Sequence, residues 1–214
     1  MDKKKRGITA AELQAQLAAD PVFQEQKRIR EEGLRRKEEL LDLAERPIIQ
    51  DMHAEGFDVR SVWDFVNDKR PTPARAAEIM LKHLPGSFPD VIKEGIGRSL
   101  ACTEPHDGWD ILLHEYEREI DGSFGAQEKK FGIAMGLAAA ADLANGDVIA
   151  RLARNETHGS SRMPLLWYFE RWPHPAGTEI MQELALDPEL GKEARRILRK
   201  LSKGTTPRKG KSIQ

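Results

Sequence analysis

The chain has 214 residues, of which 39% are hydrophobic, and a formal net charge of −1. A chain of this length buries enough apolar surface to fold without disulfides, as one compact domain or as one elongated stack. Its single cysteine, Cys102, excludes an internal disulfide framework.

No segment is expected to serve as a signal peptide or a membrane span. The N-terminus lacks the charged-then-apolar layout of a secretory signal. The longest nearly apolar run, residues 131–144, contains glycines and is shorter than the roughly 20 residues that cross a bilayer. We therefore predict a cytoplasmic protein without a membrane partner.

Charge is distributed unevenly along the chain. Residues 1–6 carry +3 and residues 203–214 carry +4, so residues 7–202 carry −8. An acidic body repels a phosphate backbone, which makes nucleic acid a less favoured partner than protein. Both basic ends are predicted to be solvated and disordered.

Two helix-start signals open the chain. Thr9 followed by Glu12 predicts a capping box for a short first helix. The Asp20-Pro21 pair predicts an N-cap and a first-turn proline for a second helix. Pro47 is expected to break or restart that helix.

The second predicted helix is almost wholly charged between residues 24 and 39, with opposite charges four residues apart. Such pairs stabilise a solvated helix by only about 0.2–0.5 kcal/mol each. We therefore expect this segment to project as an exposed arm, or to pack by one narrow stripe that a partner can cover.

Two further helices are predicted at 47–54 and 59–66, with Gly56 as the stop between them. After Pro71 and Pro73 the pattern changes to regular helical hairpins. The predicted organisation is a basic disordered N-terminus, an N-terminal helical segment, a helical-repeat body and a basic disordered tail, at residues 1–8, 9–70, 71–202 and 203–214.

An apolar pair followed one turn later by a third large residue recurs in the body. The third residues are Tyr116, Leu152 and Leu184, at offsets of 36 and 32. A second pattern, ending at Phe169, returns 32 residues later at Leu201. Helical similarity at such a period is typical of an α-solenoid. The predicted hairpins lie near residues 73–100, 107–142, 145–172 and 176–201.

The last hairpin resembles those of HEAT-like repeat proteins. Its apolar first helix ends at an Asp187-Pro188 turn, and its amphipathic second helix begins with the basic residue Lys192. In the preceding hairpin Arg162 occupies a similar place, but the turn lacks Asp-Pro. The resemblance covers at most residues 73–201.

This resemblance implies an all-α fold, a right-handed α-solenoid of HEAT-like helical hairpins with an N-terminal helical cap. A compact helical bundle is the alternative. The early Asp-Pro helix is also similar to one in bacterial HEAT-repeat proteins, a likeness that implies no activity.

Several residue types that can bind metal, attack a substrate or hold a phosphate are better explained by structural roles in this sequence. The six histidines show no metal-ligand spacing. Ser160 and Ser161 lie beside His158, but no nucleophile elbow surrounds them, and helix capping is favoured. Gly95, Gly97, Gly132 and Gly136 lack phosphate-loop spacing and are expected to permit close helix packing. We predict no catalytic residue, metal or cofactor.

The second helices of the last three hairpins are predicted to form the binding face, as the resemblance implies. Their aromatic-rich stretch from Trp167 to Trp172 is typical of binding hot spots, although aromatics at helical spacing are more often core. Arg162 is the exception, because a bond to the next repeat would make it structural. The candidate binding residues are Lys129, Lys130, Arg162, Trp167, Glu170, Arg171, Arg195 and Arg199.

These features favour a noncatalytic protein-binding scaffold, because stacked hairpins present extended surfaces. A nucleic-acid-binding or DNA-base-processing HEAT-like protein is the alternative, which the acidic body opposes. A third possibility is a small enzyme, or an enzyme's regulatory subunit, with a distributed site.

Overall fold

The computed structural model describes residues 8–68, 71–103, 107–118, 122–172 and 176–202. Regular structure in these ranges is helical, and the one β contact among them is an isolated bridge between Thr72 and Thr103. The all-α fold class is confirmed. The two basic tails, apart from Ile8, lie outside the described residues, as do His106 and His174.

Eleven α-helices occur in the described part of the chain. They are α1 (Ala10–Ala19), α2 (Pro21–Ala54), α3 (Trp63–Asn67), α4 (Ala74–His83), α5 (Asp90–Ala101), α6 (Trp109–Glu117), α7 (Phe124–Ala140), α8 (Gly146–Arg154), α9 (Leu166–Arg171), α10 (Gly177–Leu184) and α11 (Gly191–Ser202). Two 3-10 segments, Leu143–Asn145 and Glu156–Leu165, precede α8 and α9.

The predicted helix starts are confirmed at the beginning of the chain. Thr9 and Glu12 form both bonds of a capping box. The Asp20 carboxylate accepts hydrogen bonds from the amides of Val22 and Phe23, at 2.9 and 3.3 Å. These amides have no partner within the helix, so the side chain satisfies them locally.

The predicted break at Pro47 is wrong, because α2 continues through it to Ala54. Proline removes one backbone hydrogen bond and crowds the preceding turn. Beyond it, Ile48 and Met52 are completely buried, and this packing favours the helical turns that contain them. The helix predicted at 59–66 is also corrected, since α3 begins only at Trp63.

By its internal contacts the chain divides into two units, Met1–Ala44 and Glu45–Gln214. The first contains α1 and the N-terminal part of α2. None of its described residues is buried. Its helices therefore have no apolar core of their own.

In the second unit, helices adjacent in sequence pack as pairs: α4 with α5, α6 with α7, α8 with the 3-10 segment Glu156–Leu165, and α10 with α11. The second members of the first three pairs also contact one another in chain order, α5 with α7 and α7 with the 3-10 segment, and α9, which follows that segment, contacts α11. Tyr116, Leu152 and Leu184, predicted to occupy one repeat position, are all buried.

Glycines bring α5 and α7 into backbone contact, as the sequence predicts. A Cβ on Gly97 would lie 2.4 Å from the carbonyl carbon and oxygen of Gly132. A Cβ on Gly132 would lie 2.6 Å from the Glu94 carbonyl oxygen, and one on Gly136 would lie 2.9 Å from that of Gly97. No larger residue fits without moving the helices apart.

Among the described helices, none combines the length and the apolar composition needed to cross a membrane.

Candidate interaction surfaces

The two lysines predicted on α7 already have partners. Lys129 Nζ lies 2.7 Å from Asp90 Oδ1 on α5. Lys130 is buried, with its Nζ 5.2 Å from the centre of the Tyr116 ring and 3.4 Å from the carbonyl oxygen of Arg118. Burial, followed by the charge of Lys129, lowers the pKa of Lys130. Neither ammonium group is free to meet a partner.

Arg162 forms the bond between hairpins that its sequence position suggests. Its guanidinium is 2.8 Å from Asp187 and 3.4 Å from Glu189, both in the turn of the next hairpin. It also donates to the carbonyl oxygens of Gly159 and Ala153, at 2.9 and 3.2 Å. The Arg162 side chain is only 3% exposed, so its role is to hold this turn.

Trp167 and Glu170 lie in a polar network between α9 and α11. The Trp167 Nε1 group donates to Glu193 at 2.8 Å. Arg196 donates to Glu170 at 2.6 Å and to Glu193 at 2.7 Å, and Lys200 also bonds to Glu170. Trp167 keeps 36% of its surface exposed, whereas the Glu170 carboxylate is bound on both oxygens.

Two of the predicted arginines stabilise the C-terminal ends of helices. Arg171 Nη2 lies 2.5, 3.1 and 3.1 Å from the carbonyl oxygens of Ala138, Ala139 and Ala141, where α7 ends. Arg195 Nη1 lies 2.5 Å from the carbonyl oxygen of Ala185, at the end of α10. A cation there satisfies carbonyls that lack helical partners.

Arg199 differs from the other seven candidates. It is exposed, and within the described residues the structure gives its guanidinium no partner. The hydrogen bonds and ion pairs of the other candidates thus join them to residues that are not candidates. Sequence spacing alone did not show these pairings, because the partners lie 10 to 39 residues apart.

The buried polar cluster beneath this region does not have the geometry of a nucleophilic site. Ser161 Oγ donates to the backbone oxygen of His158 at 2.6 Å, so the imidazole does not act as its base, and the predicted capping bond to an amide is not formed. The hydroxyls of Tyr116 and Ser161 lie 3.3 Å apart. Burial, then the charge of Lys130, lowers the pKa of His158 to about 4.

A cavity of about 250 Å³ opens between the α4–α5 turn and α7, with Lys93, Glu115, Arg118 and Lys129 among its lining residues. Lys93 and Arg118 each lie 2.9 Å from the Glu115 carboxylate. Burial would raise the pKa of Glu115, but these hydrogen bonds outweigh it and lower the pKa. The cations are neutralised by their own carboxylates and do not form an open anion site.

Most of the exposed large apolar side chains in the described chain lie on the first unit. Two ridges run along the N-terminal part of α2, one ridge formed by Val22, Ile29, Leu40 and Leu43, and the other by Phe23, Leu34 and Leu41. Spacings of three, seven and eleven residues keep each ridge on one side of a helix. We call this surface, with the residues between the ridges, the arm stripe.

Exposure of the arm stripe is high for side chains of this kind. Ile29 is 57% exposed, Leu34 53% and Leu40 60%. Gly33 lies between the ridges, and a Cβ there would meet nothing within 4 Å. A groove of about 510 Å³ opens beside it, lined by Ile29 and by charged residues, Glu32, Arg35, Arg36 and Glu39. Scattered exposed leucines are ordinary, whereas an exposed apolar stripe is a candidate interaction surface.

The chain was compared with models of protein families, with curated proteins and with solved structures, and nothing matches it in any of the three comparisons. The arm stripe and the second-helix contacts are therefore interpreted from their own chemistry.

The sequence analysis placed no residue of the arm stripe among the candidate binding residues. The recurrence of Val22, Ile29, Leu40 and Leu43 on one side of a charged helix was the available signal. It was not decisive, because a sequence pattern does not show whether a neighbouring helix covers the stripe.

Proposed function

We propose that this protein is a noncatalytic protein-interaction module whose arm stripe is the primary docking surface. The observation that carries the proposal is the uncovered pair of apolar ridges on α2, in a unit none of whose described residues is buried. Complete burial of one valine, leucine or isoleucine side chain contributes about 1.5–3 kcal/mol. A partner that covered several of the exposed side chains would supply the apolar burial that the first unit lacks.

We also propose that the helical pairs of the second unit form a HEAT-like stack. Its support is that the second members of the first three pairs contact one another in chain order, and that Tyr116, Leu152 and Leu184 are all buried. Polar bonds such as that between Arg162 and Asp187 link neighbouring pairs. Such a stack offers Trp167 and Arg199 as further contact positions.

Photocrosslinking tests the proposal directly. A photoreactive amino acid is placed at Leu40 in the arm stripe, or at Asp42 on the opposite face as the matched control. We expect a discrete protein adduct from position 40 that is absent from position 42 and disappears when Ile29→Ser is added. Circular dichroism checks that the helix content of each variant is unchanged.

Two outcomes would contradict the proposal. Adducts that do not depend on the arm stripe would show that docking occurs elsewhere. Adducts composed of nucleic acid would favour the alternative class of function, a nucleic-acid-binding helical protein.

A further inference from the structure

The arm stripe contains cations whose charge the described chain does not neutralise. Arg30 lies seven residues after Phe23, Arg36 lies seven after Ile29, and Lys37 lies three after Leu34. All three side chains are exposed, and within the described ranges the structure gives them no ion pair. Each is therefore on or between the apolar ridges and is available to a partner.

The cations Arg28 and Arg35, on the opposite face of α2, are both engaged. Arg28 lies 2.7 Å from Glu25 and 2.8 Å from Glu32. Arg35 is 3.7 Å from Glu39. Lys27, beside the second ridge, is also paired, 3.7 Å from Glu31. The helix thus pairs its charges along the polar face and leaves unpaired cations on the apolar side.

We infer that the occupant of the arm stripe is an amphipathic helix of another protein, with acidic side chains bordering its apolar face. This inference rests on the proposed function and names the chemistry of the partner. An apolar surface with helical spacing is complementary to another helix, whose side chains fit between the two ridges at Gly33. Covering Arg30, Arg36 and Lys37 without a carboxylate would desolvate unpaired charges, which is strongly unfavourable.

Charge disfavours a second copy of this chain as the occupant. Two arm stripes facing each other would bring the cations at positions 30, 36 and 37 of one copy against those of the other. Like charges across a helical interface are destabilising and direct a helix toward a different partner.

Charge also disfavours an anionic membrane surface. Interfacial helices are rich in lysine and arginine on their polar face. On α2 that face carries Glu31 and Asp42 among its charged residues, and its cations Arg28 and Arg35 are paired.

The test uses the full chain and two synthetic helical peptides. Both peptides carry leucine along one face and differ only at the bordering positions, which are glutamate in one and lysine in the other. Neither peptide pairs well with itself because its bordering charges repel. We expect the glutamate peptide to bind about tenfold or more tightly than the lysine peptide, and its affinity to fall as ionic strength rises.

Matched variants locate the effect. R30Q and K37Q together should reduce the preference for the glutamate peptide, whereas R28Q and R35Q together should leave it. Glutamine retains good helix propensity, so both double variants should keep the helix. Circular dichroism provides the check of folding.

Several results would overturn the inference. Equal affinity for the two peptides, failure of both to bind, stronger binding to phosphatidylserine vesicles, or self-association through the stripe would each do so. Ile29→Ser with Leu40→Ser separates this failure from failure of the proposed function. If these two changes abolish binding while the charge variants do not, docking at the arm stripe stands and the acidic partner is wrong. If they change nothing, both fail.

Discussion

Arg162 and Asp187 form a buried ion pair between the turn that precedes α9 and the turn that precedes α11, with Nη1 and Oδ2 2.8 Å apart. The arginine is 3% exposed and the aspartate 8%. Burial would raise the pKa of Asp187, but hydrogen bonds from the Leu190 amide, Arg162 and the Glu189 amide outweigh it and lower the pKa.

Replacing Arg162 with methionine should lower the free energy of unfolding by about 3–5 kcal/mol, because it leaves the Asp187 carboxylate without its charged partner. Urea unfolding followed by circular dichroism measures the change. Glu189→Gln is the control, since that side chain is 46% exposed and 3.4 Å from the guanidinium, and it should change stability by less than about 1 kcal/mol. If both variants lose a similar free energy of unfolding, the buried ion pair stabilises the fold no more than the exposed contact with Glu189 does.

The crossing of α5 and α7 should not tolerate a single added methyl group. Gly97→Ala should destabilise the chain by about 1–3 kcal/mol or more, because the new Cβ would overlap the backbone at Gly132. Gly33→Ala is the matched change in open space, and should instead favour the helix by about 0.5–1 kcal/mol. Thermal unfolding reports the first effect and hydrogen exchange of the α2 amides reports the second. A neutral Gly97→Ala would contradict the close crossing.

Leu184 tests the predicted repeat position. It is 4% exposed on α10, whereas Gln182 two residues earlier is exposed. Leu184→Ala should lower the free energy of unfolding by roughly 2–5 kcal/mol by leaving a cavity, and Gln182→Ala should change it little. Equal effects in denaturant unfolding would argue against the assigned register.

His158 should make the protein less stable in mild acid. The folded chain binds its proton with a pKa of about 4, against an ordinary value of 6.5. Between these values the unfolded chain carries a proton that the folded chain lacks, so lowering the pH favours unfolding, by up to about 3 kcal/mol. His158→Gln should flatten this dependence in melts from neutral pH to pH 4, while the exposed-residue control His114→Gln should retain it. If the melting temperature of His158→Gln depends on pH as steeply as that of the wild type, other groups cause the loss of stability in acid.

Charge reversal on the second helices should separate stability from binding. Arg171→Glu should lower the melting temperature, because it removes three bonds to the end of α7 and places a negative charge there. Arg199→Glu should leave the melting temperature nearly unchanged, since its side chain is exposed. If Arg199→Glu nevertheless weakens an isolated complex, the second-helix face contributes to binding. Unchanged affinity in the folded variant would exclude that position.

Local features of the fold were predictable because their causes lie within a few residues. The capping box of Thr9 and Glu12 and the cap at Asp20 depend on side chains three or fewer residues from the amides they bind. The left-handed backbone at Gly56, with φ of +85°, follows from the absence of a Cβ. The prediction that Pro47 ends the helix was wrong because the burial of Ile48 and Met52 outweighs the unfavourable effect of the proline. The local sequence does not reveal that burial.

The sequence by itself determined the helical class, the paired arrangement along residues 73–201 and the small residues at the α5–α7 crossing, since periodicity and residue size act locally. Only the tertiary structure decided which polar groups are occupied and which apolar ones are uncovered. Lys129 and Arg171 carry the same charge as Arg199, yet Asp90 and the end of α7 occupy them while Arg199 is exposed. Likewise, Ile29 and Ile48 lie on one helix, but only Ile48 is buried. Burial and pairing depend on which distant segment packs against a residue, and spacing within one chain does not encode that directly.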